Sequence, residues 1–167
     1  MSDSTRLAPT PPTPPTPPTP PTQTNPPNTG RARVIPFLAM LGAQLVHEQD
    51  GVAVVQLELR ADLLNNHGGG HGGVVMSLLD SAMAHAALSK IDYSREVVTI
   101  DMHIAFMKPG TGRLIATGRA TGGGRSVCFC EAEICNEAGL VTAKAMGTFR
   151  YRAISAPGDA GASQAGE

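Results

Sequence analysis

The chain has almost no charge imbalance: 13 lysines and arginines oppose 14 aspartates and glutamates, a formal net charge of −1 over 167 residues. That removes the electrostatic case for nucleic acid as a partner, because holding a phosphate backbone rests on a basic surface. A long hydrophobic run is also missing. No stretch approaches the ~20 apolar residues of a bilayer-spanning helix, so no membrane association is expected. No apolar segment precedes the N-terminal prolines, so no secretory leader is expected and the reading is a cytoplasmic protein. Cysteine is scarce and odd in number, with three in all. That fits a reducing compartment better than a disulfide framework. Cys128 and Cys130 alternate on one side of a strand-like segment, where small buried thiols are the ordinary explanation. No third and fourth ligand converges with them in the sequence, so no metal is expected.

Proline is rare except in one place. Of 14 prolines, 11 precede Asn28, and a Pro-Pro-Thr triplet repeats from Pro11 to Thr22. Such a segment has few apolar side chains to offset its ordering entropy. Residues 1–33 are therefore expected to be a disordered, extended Pro/Thr-rich arm. Residues 154–167, rich in Ala, Gly and Ser, are expected to be a flexible tail. The 34–153 region remains for one folded domain, which is long enough for a single core.

Inside that domain helix and strand separate by period. Val52 to Arg60 alternates, with Val55, Leu57 and Leu59 on one side and Gln56, Glu58 and Arg60 on the other. A helix is predicted from about Gly72 to Ser89, apolar nearly all round, ending near Lys90. Four strands follow. Glu96 to Met107 sets Val98, Ile100, Met102, Ile104 and Phe106 on one face, and Lys108-Pro109-Gly110 turns the chain. Arg113 to Thr121 is expected to be broken by Gly122-Gly123-Gly124. Ser126 to Asn136 aligns Cys128, Cys130, Ala132 and Ile134; Leu140 to Tyr151 aligns Val141, Ala143, Ala145, Gly147 and Phe149. Val34 to Val46 is left to supply an extra helix or strand. One apolar helix against a meandering antiparallel sheet is an α+β layer architecture. A helix apolar on so many sides must be covered on more than one; a sheet wrapped round it covers one side, and a partner subunit is one source of further cover.

One segment is unlike the rest. Asn65-Asn66-His67-Gly68-Gly69-Gly70-His71-Gly72-Gly73 sets a glycine-rich loop directly before the apolar run Val74 to Leu88. A helix beginning there leaves backbone N–H groups unsatisfied and aims its positive dipole end at one spot. A single carboxylate, Asp80, interrupts the apolar helix. Amide donors and an acid in apolar surroundings are parts of a machine for attacking a carbonyl. Bland readings stand beside this one. The glycines serve a tight turn, and Asp80 makes a structural hydrogen bond to backbone, Ser77 or Ser81.

The pattern Asn65-x-x-Gly68-x-x-His71-Gly72-Gly73, with Asp80 beyond it, resembles the signature of hotdog-fold acyl-CoA thioesterases of the phenylacetate-degradation (PaaI-like) type. Thr99 to Ile104, Met107 to Gly110, Gly124-Arg125-Ser126 and Ala145 to Phe149 are similar to that family's later strands and turns. The likeness runs from Phe37 to Tyr151. Gly70 departs from it, since the family usually carries an apolar residue there, and a looser loop is expected. The resemblance implies a hotdog fold, one long central helix wrapped by an antiparallel sheet. It also implies a two-fold homodimer, with a dimer of dimers left open. The implied reaction hydrolyses an acyl-CoA thioester to a carboxylic acid and free coenzyme A. No cofactor is implied beyond the coenzyme A of the substrate.

For the site, the resemblance implies that the Gly72 N–H polarises the thioester carbonyl. Asp80 is implied as general base or nucleophile, Asn65 as a hold on the carbonyl or water, and Thr99 as a hydroxyl orienting the water. His71 is expected to brace the loop rather than act as a base. The carrier is placed near Phe106, Met107, Lys108 and Pro109, and near Gly124, Arg125 and Ser126. Lys108, Arg113 and Arg125 are candidates for its phosphates, with the Gly122 to Gly124 amides beside them. Each has an ordinary reading: Asn in a loop stabilises turns, Thr suits strands, and exposed cations are usually solvated. His67 and His71 lie in loop rather than helix, so their spacing makes no shared metal face. Met76, Met83, Met102 and Phe106 are expected to line the acyl pocket.

Gly72 and Asp80 lie ~12 Å apart along a helix axis. One thioester cannot touch both within one helix, so a shared carbonyl requires the acid from a second subunit running antiparallel. Other readings remain: a non-catalytic acyl-CoA-binding or sensor protein, for which an acid at 80 has no use; a scaffold working through the Pro-rich arm; and a hydratase, which needs His85 or His103 against Asp80.

Overall fold

The computed structural model describes residues 35–154, so the expected arm and all but the first residue of the expected tail lie outside the described residues. The segment expected to give a helix or a strand gives both in succession. Pro36–Leu41 is a short helix, α1, with proline at its start, where the missing N–H costs nothing. Gly42, at φ +82°, closes it in the left-handed region. Gln44–Gln49 follows as strand β1. Asp50 and Gly51, at φ +49° and +82°, make the tight turn into β2, Val52–Glu58.

The apolar run after the glycine loop forms α2, Gly72–Ser89, and then come β3 (Glu96–Phe106), β4 (Arg113–Gly123), β5 (Val127–Asn136) and β6 (Val141–Arg152). The six strands form one antiparallel sheet in the order β1-β2-β4-β5-β6-β3. β1 and β3 are therefore its edges. α2 lies across one face and touches every strand. Leu78, Leu79, Ala82, Met83 and Ala86 are wholly buried between helix and sheet, with Phe149, Leu114 and Ile134 from the strands. Among the described residues no helix is long and apolar enough to cross a membrane.

The helix sits on the sheet without side-chain clearance at one point. A Cβ on Gly118 of β4 would lie 2.2 Å from the Ala82 carbonyl oxygen and 2.7 Å from the Met83 nitrogen. Only a residue with no side chain lets the two backbones meet this closely.

Two expectations for the strands are corrected. The glycine run after Thr121 does not break β4: Gly122 and Gly123 pair with Phe129 and Cys128, and a bulge at Thr121 absorbs the irregularity. In β3 the single apolar face does not exist. A bulge at Ile100 interrupts the pairing with β6, between Thr99 opposite Phe149 and Asp101 opposite Thr148. Before it, half-buried Val97 and exposed Thr99 stand opposite the buried Tyr151 and Phe149, on the helix side; after it, half-buried Met102 and Ile104 take that side, opposite Gly147 and Ala145. Val98 and Ile100 are left exposed. One extra residue switches which parity faces inward.

Candidate active site

The head of α2 is organised by one residue. Three of its four leading amides are taken: His71 N–H donates to the Leu63 carbonyl (2.8 Å), Val74 N–H to the His71 carbonyl (2.9 Å), and Gly73 N–H to His71 Nδ1 (3.0 Å). The Gly72 N–H has no partner among the described residues. A helix start normally has several orphan donors; here His71 leaves a single one, at the positive end of an 18-residue helix. The ring of Phe106 flanks it, 3.7 Å from where a Gly72 Cβ would stand. Because Nδ1 accepts, it must be unprotonated. Replacing His71 by Ala is expected to cost about 1 kcal/mol of stability, with Asn, which keeps an acceptor in place, recovering most of it. Equal melting temperatures for the Ala variant and wild type would show that the cap carries no weight.

The loop before the helix is tied from within. Asn65 Oδ1 accepts from His67 N–H (2.9 Å) and Gly69 N–H (3.2 Å), and its Nδ2 reaches the Gly70 carbonyl at 3.4 Å. That is the turn-stabilising arrangement, and it still leaves Nδ2 a second proton. Gly70 N–H donates to the Gly110 carbonyl (2.9 Å), so the loop is laced to the Lys108-Pro109-Gly110 turn. Gly70 does not loosen it. A Cβ there would lie 3.2 Å from both Leu59 methyls, so Leu59 already fills the space an apolar residue at 70 would take.

Asp80 is half-buried on the flank of α2, beside the exposed Met76, rather than sealed in the core. Its Oδ1 accepts from Thr99 Oγ1 at 2.8 Å. Neither serine holds it: Ser77 donates to the Gly73 carbonyl (2.8 Å), and the buried Ser81 hydroxyl has no partner among the described residues. The Ile100 bulge is what turns Thr99 to the helix side. Nothing in the apolar pattern of β3 signals it, since Val97, Val98 and Ile100 are all apolar. Met83 belongs to the core, wholly buried against Gly147, and so does not line a pocket in this chain.

These residues fall into two groups at opposite ends of the sheet. Asn65, His71, Gly72, Phe106, Met107, Lys108 and Pro109 lie where β3 ends and β4 and β6 begin. Thr99, Gly124, Arg125 and Ser126 lie where β3 and β5 begin and β6 ends, with Asp80 held to that group through Thr99. Two shallow grooves of about 370 Å³ each are lined by Val98, Thr99, Ile100, Arg150 and Arg152, and by residues around His103, Glu131 and Met146. Neither is lined by Gly72 or Asp80.

Several carrier candidates are engaged elsewhere. Arg113 is paired with Glu58. Gly124 N–H donates to the Val127 carbonyl (2.9 Å), and Gly122 and Gly123 belong to the β4–β5 ladder, so those amides serve the hairpin. Met107 and Lys108 N–H both donate to the Thr142 carbonyl (2.9 and 3.0 Å), which fixes the turn but leaves the Lys108 side chain exposed. His85 is turned away from Asp80: its Nδ1 sits 3.1 Å from Glu48 and 3.2 Å from the Tyr93 hydroxyl. Cys128 and Cys130 are buried with their sulfurs 3.7 Å apart, and burial, with Cys128 as neighbour, pushes the Cys130 thiol well above its ordinary range. Such thiols are inert packing groups.

Residues 67–143 match the family model described as the thioesterase superfamily. The chain is 33% identical over 100 residues to acyl-coenzyme A thioesterase PaaI of Escherichia coli K12, covering 58% of this chain and 69% of that protein. The solved structure of E. coli PaaI, from the phenylacetic acid degradation operon, superposes with a TM-score of 0.66 at 28% identity, over 70% of this chain and 84% of that one. A conserved protein of Pseudomonas aeruginosa superposes at 0.67 with 32% identity, over 70% and 93%. Helix, sheet and sequence agree: the chain belongs to the thioesterase superfamily and is a hotdog-fold thioester hydrolase of the PaaI-like type.

Proposed function

We propose that the protein hydrolyses an acyl-CoA thioester at two equivalent sites of a homodimer, each built from both chains. Asp80 of one protomer acts as base or nucleophile on the carbonyl that the Gly72 N–H of the other polarises. As base, Asp80 takes a proton from water while the water oxygen bonds to the carbonyl carbon. The oxyanion leans on the Gly72 amide, a kind of contact commonly worth ~2.7–4 kcal/mol of barrier. Collapse breaks the C–S bond, and the thiolate leaves and is protonated, giving acid and free coenzyme A. Thr99 holds one carboxylate oxygen and leaves the other for the water. Asn65 contributes its spare amide proton, His71 positions the helix head, and Phe106 to Pro109 and Gly124 to Ser126 flank the carrier. A cytoplasmic location belongs to the same proposal, supported by three free cysteines.

The observation that carries this reading is the separation of a lone amide donor from the Thr99-held acid by eight residues of rigid helix, or ~12 Å. The test is to mix inactive chains. Gly72→Pro removes the donor yet suits the first helical position, and the extended His71 (φ −58°, ψ 138°) accepts a following proline. A doubly tagged heterodimer of Gly72→Pro with Asp80→Asn chains then holds one intact site and one doubly defective site. It is expected to regain about half the wild-type rate, since one of two sites works. A heterodimer as inactive as its parents would end the shared-site model.

A further inference from the structure

The outer face of the sheet, away from α2, carries a cationic corner that the hydrolytic step does not use. β6 alternates there: Phe149 and Tyr151 are buried beneath the helix, and Arg150 and Arg152 are exposed on the outer side. The β4–β5 hairpin adds Arg125, and Arg95, just before β3, donates to the Arg125 carbonyl. Arg125, Arg150 and Arg152 have no side-chain hydrogen bond or ion pair among the described residues, whereas Arg60, Arg113 and Lys144 are each matched with a carboxylate. The neighbouring acids in the ladder are Glu96, opposite Arg152, and Asp101, opposite Thr148, so the arginines outnumber them. Like charges gathered on one surface repel, and a bound anion relieves them.

Beside the arginines stands an open aromatic ring. Phe129, 50% exposed, faces Thr148 across the ladder and Arg150 on the diagonal. On its other side is Gly122, where an added Cβ would lie 3.8 Å from the ring, so no side chain covers it from β4 at that position. An aromatic face next to guanidinium groups suits a nucleotide, with the base stacked and the phosphates in charge-assisted hydrogen bonds. Resting on the acyl-CoA reading, we infer that the nucleotide end of coenzyme A lies on this outer face. Its phosphates meet Arg125, Arg150 and Arg152, and its purine stacks on Phe129.

The route from the chemistry is short. The groove of about 370 Å³ lined by Val98, Thr99, Ile100, Arg150 and Arg152 begins at the residue that holds Asp80 and ends at the arginines. At the opposite end of the sheet Arg113 is paired with Glu58 and Arg60 with Asp62, which leaves Lys108 as the free cation among the described residues there. Acid, groove and arginines belong to one chain. The protomer that supplies Asp80 therefore also holds the nucleotide, while its partner supplies Gly72.

Calorimetry with coenzyme A on the full chain tests the site without turnover. Removing both arginines, Arg150→Ala with Arg152→Ala, is expected to weaken binding about tenfold or more. Phe129→Ala is expected to weaken it about fivefold or more, with circular dichroism melts confirming the fold of each variant. Wild-type affinity in the arginine variant, or no binding of coenzyme A to wild type, overturns the site. A Phe129→Ala chain that binds like wild type but sediments as a smaller assembly gives the ring to a contact between copies and overturns the stacking.

Kinetics then place the site within the dimer. Wild type is expected to prefer an acyl-CoA to the matching acyl-pantetheine, which lacks the nucleotide. That ratio of kcat/KM values is expected to fall about tenfold in the arginine variant. In the tagged heterodimer the fall is expected when the arginines are removed from the Gly72→Pro chain, which carries the working Asp80. Removing them from the Asp80→Asn chain is expected to leave the ratio in place; the reverse pattern, or equal falls from both, overturns the assignment to the acid's protomer. Coenzyme A held through the arginines by a protein whose mixed heterodimer is inactive keeps the nucleotide site and sinks the shared-site reading. An active heterodimer with no preference for the nucleotide does the reverse.

Discussion

Asp80→Asn is expected to lower kcat/KM on acyl-CoA esters by about 10²- to 10⁴-fold, the usual contribution of a positioned proton acceptor. Asn keeps the shape of the side chain and an oxygen at Oδ1, so the hydrogen bond from Thr99 survives. What is lost is the negative charge and the ability to take a proton. KM and melting temperature should therefore move little, which separates a chemical role from a structural one. The measurement is thiol release, followed with a thiol-reactive dye, across a panel of aromatic, short and medium acyl-CoA esters. Equal rates from variant and wild type would remove Asp80 from the mechanism. A single turnover in ¹⁸O-labelled water then tests the nucleophilic role: label in the Asp80 carboxylate marks a mixed anhydride opened at the Asp80 carbonyl, where general-base attack of water on the thioester places none.

Gly118→Val is expected to destabilise the fold by at least about 3 kcal/mol, or roughly 10 °C in Tm. The obstruction is backbone, with the Ala82 carbonyl oxygen at 2.2 Å and its carbon at 2.3 Å from the new Cβ. A flexible side chain can swing aside, but a wholly buried stretch of helix cannot. To admit a valine, α2 must lift off β4, opening the core around Leu78, Leu79 and Met83. The control is Gly124→Ala, where nothing lies within 4 Å of the added carbon and the melt should match wild type. A Gly118→Val protein melting with wild type would mean that helix and sheet separate locally at little cost.

Much of the fold is legible in the residue pattern. The bounds of α2 coincide with the expected ones because glycine punctuates its start and the apolar period runs unbroken to Ser89. β5 and β6 follow their alternation, with Cys128, Cys130, Ala132 and Ile134 buried against Ala143, Ala145 and Phe149. β1 is not legible, because Gln44, His47, Glu48 and Gln49 mark a polar edge strand without clean alternation. Nor are the bulges at Ile100 and Thr121, which exist only relative to a partner strand. At the site, the glycine loop and the lone acid are visible as residue types. That His71 occupies the neighbouring donors and leaves Gly72 free depends on a side-chain rotamer.

Local periodicity and glycine placement were enough to determine one long apolar helix, its start at a donor-rich loop, and an antiparallel sheet to cover it. These are short-range consequences of backbone sterics and side-chain alternation. Only the tertiary structure decided the strand order that leaves β3 at an edge, the bulge that turns Thr99 onto Asp80, and Leu59 filling the space beside Gly70. Each of these depends on which distant segment packs against which, and free energy of that kind belongs to pairs of segments rather than to either one alone.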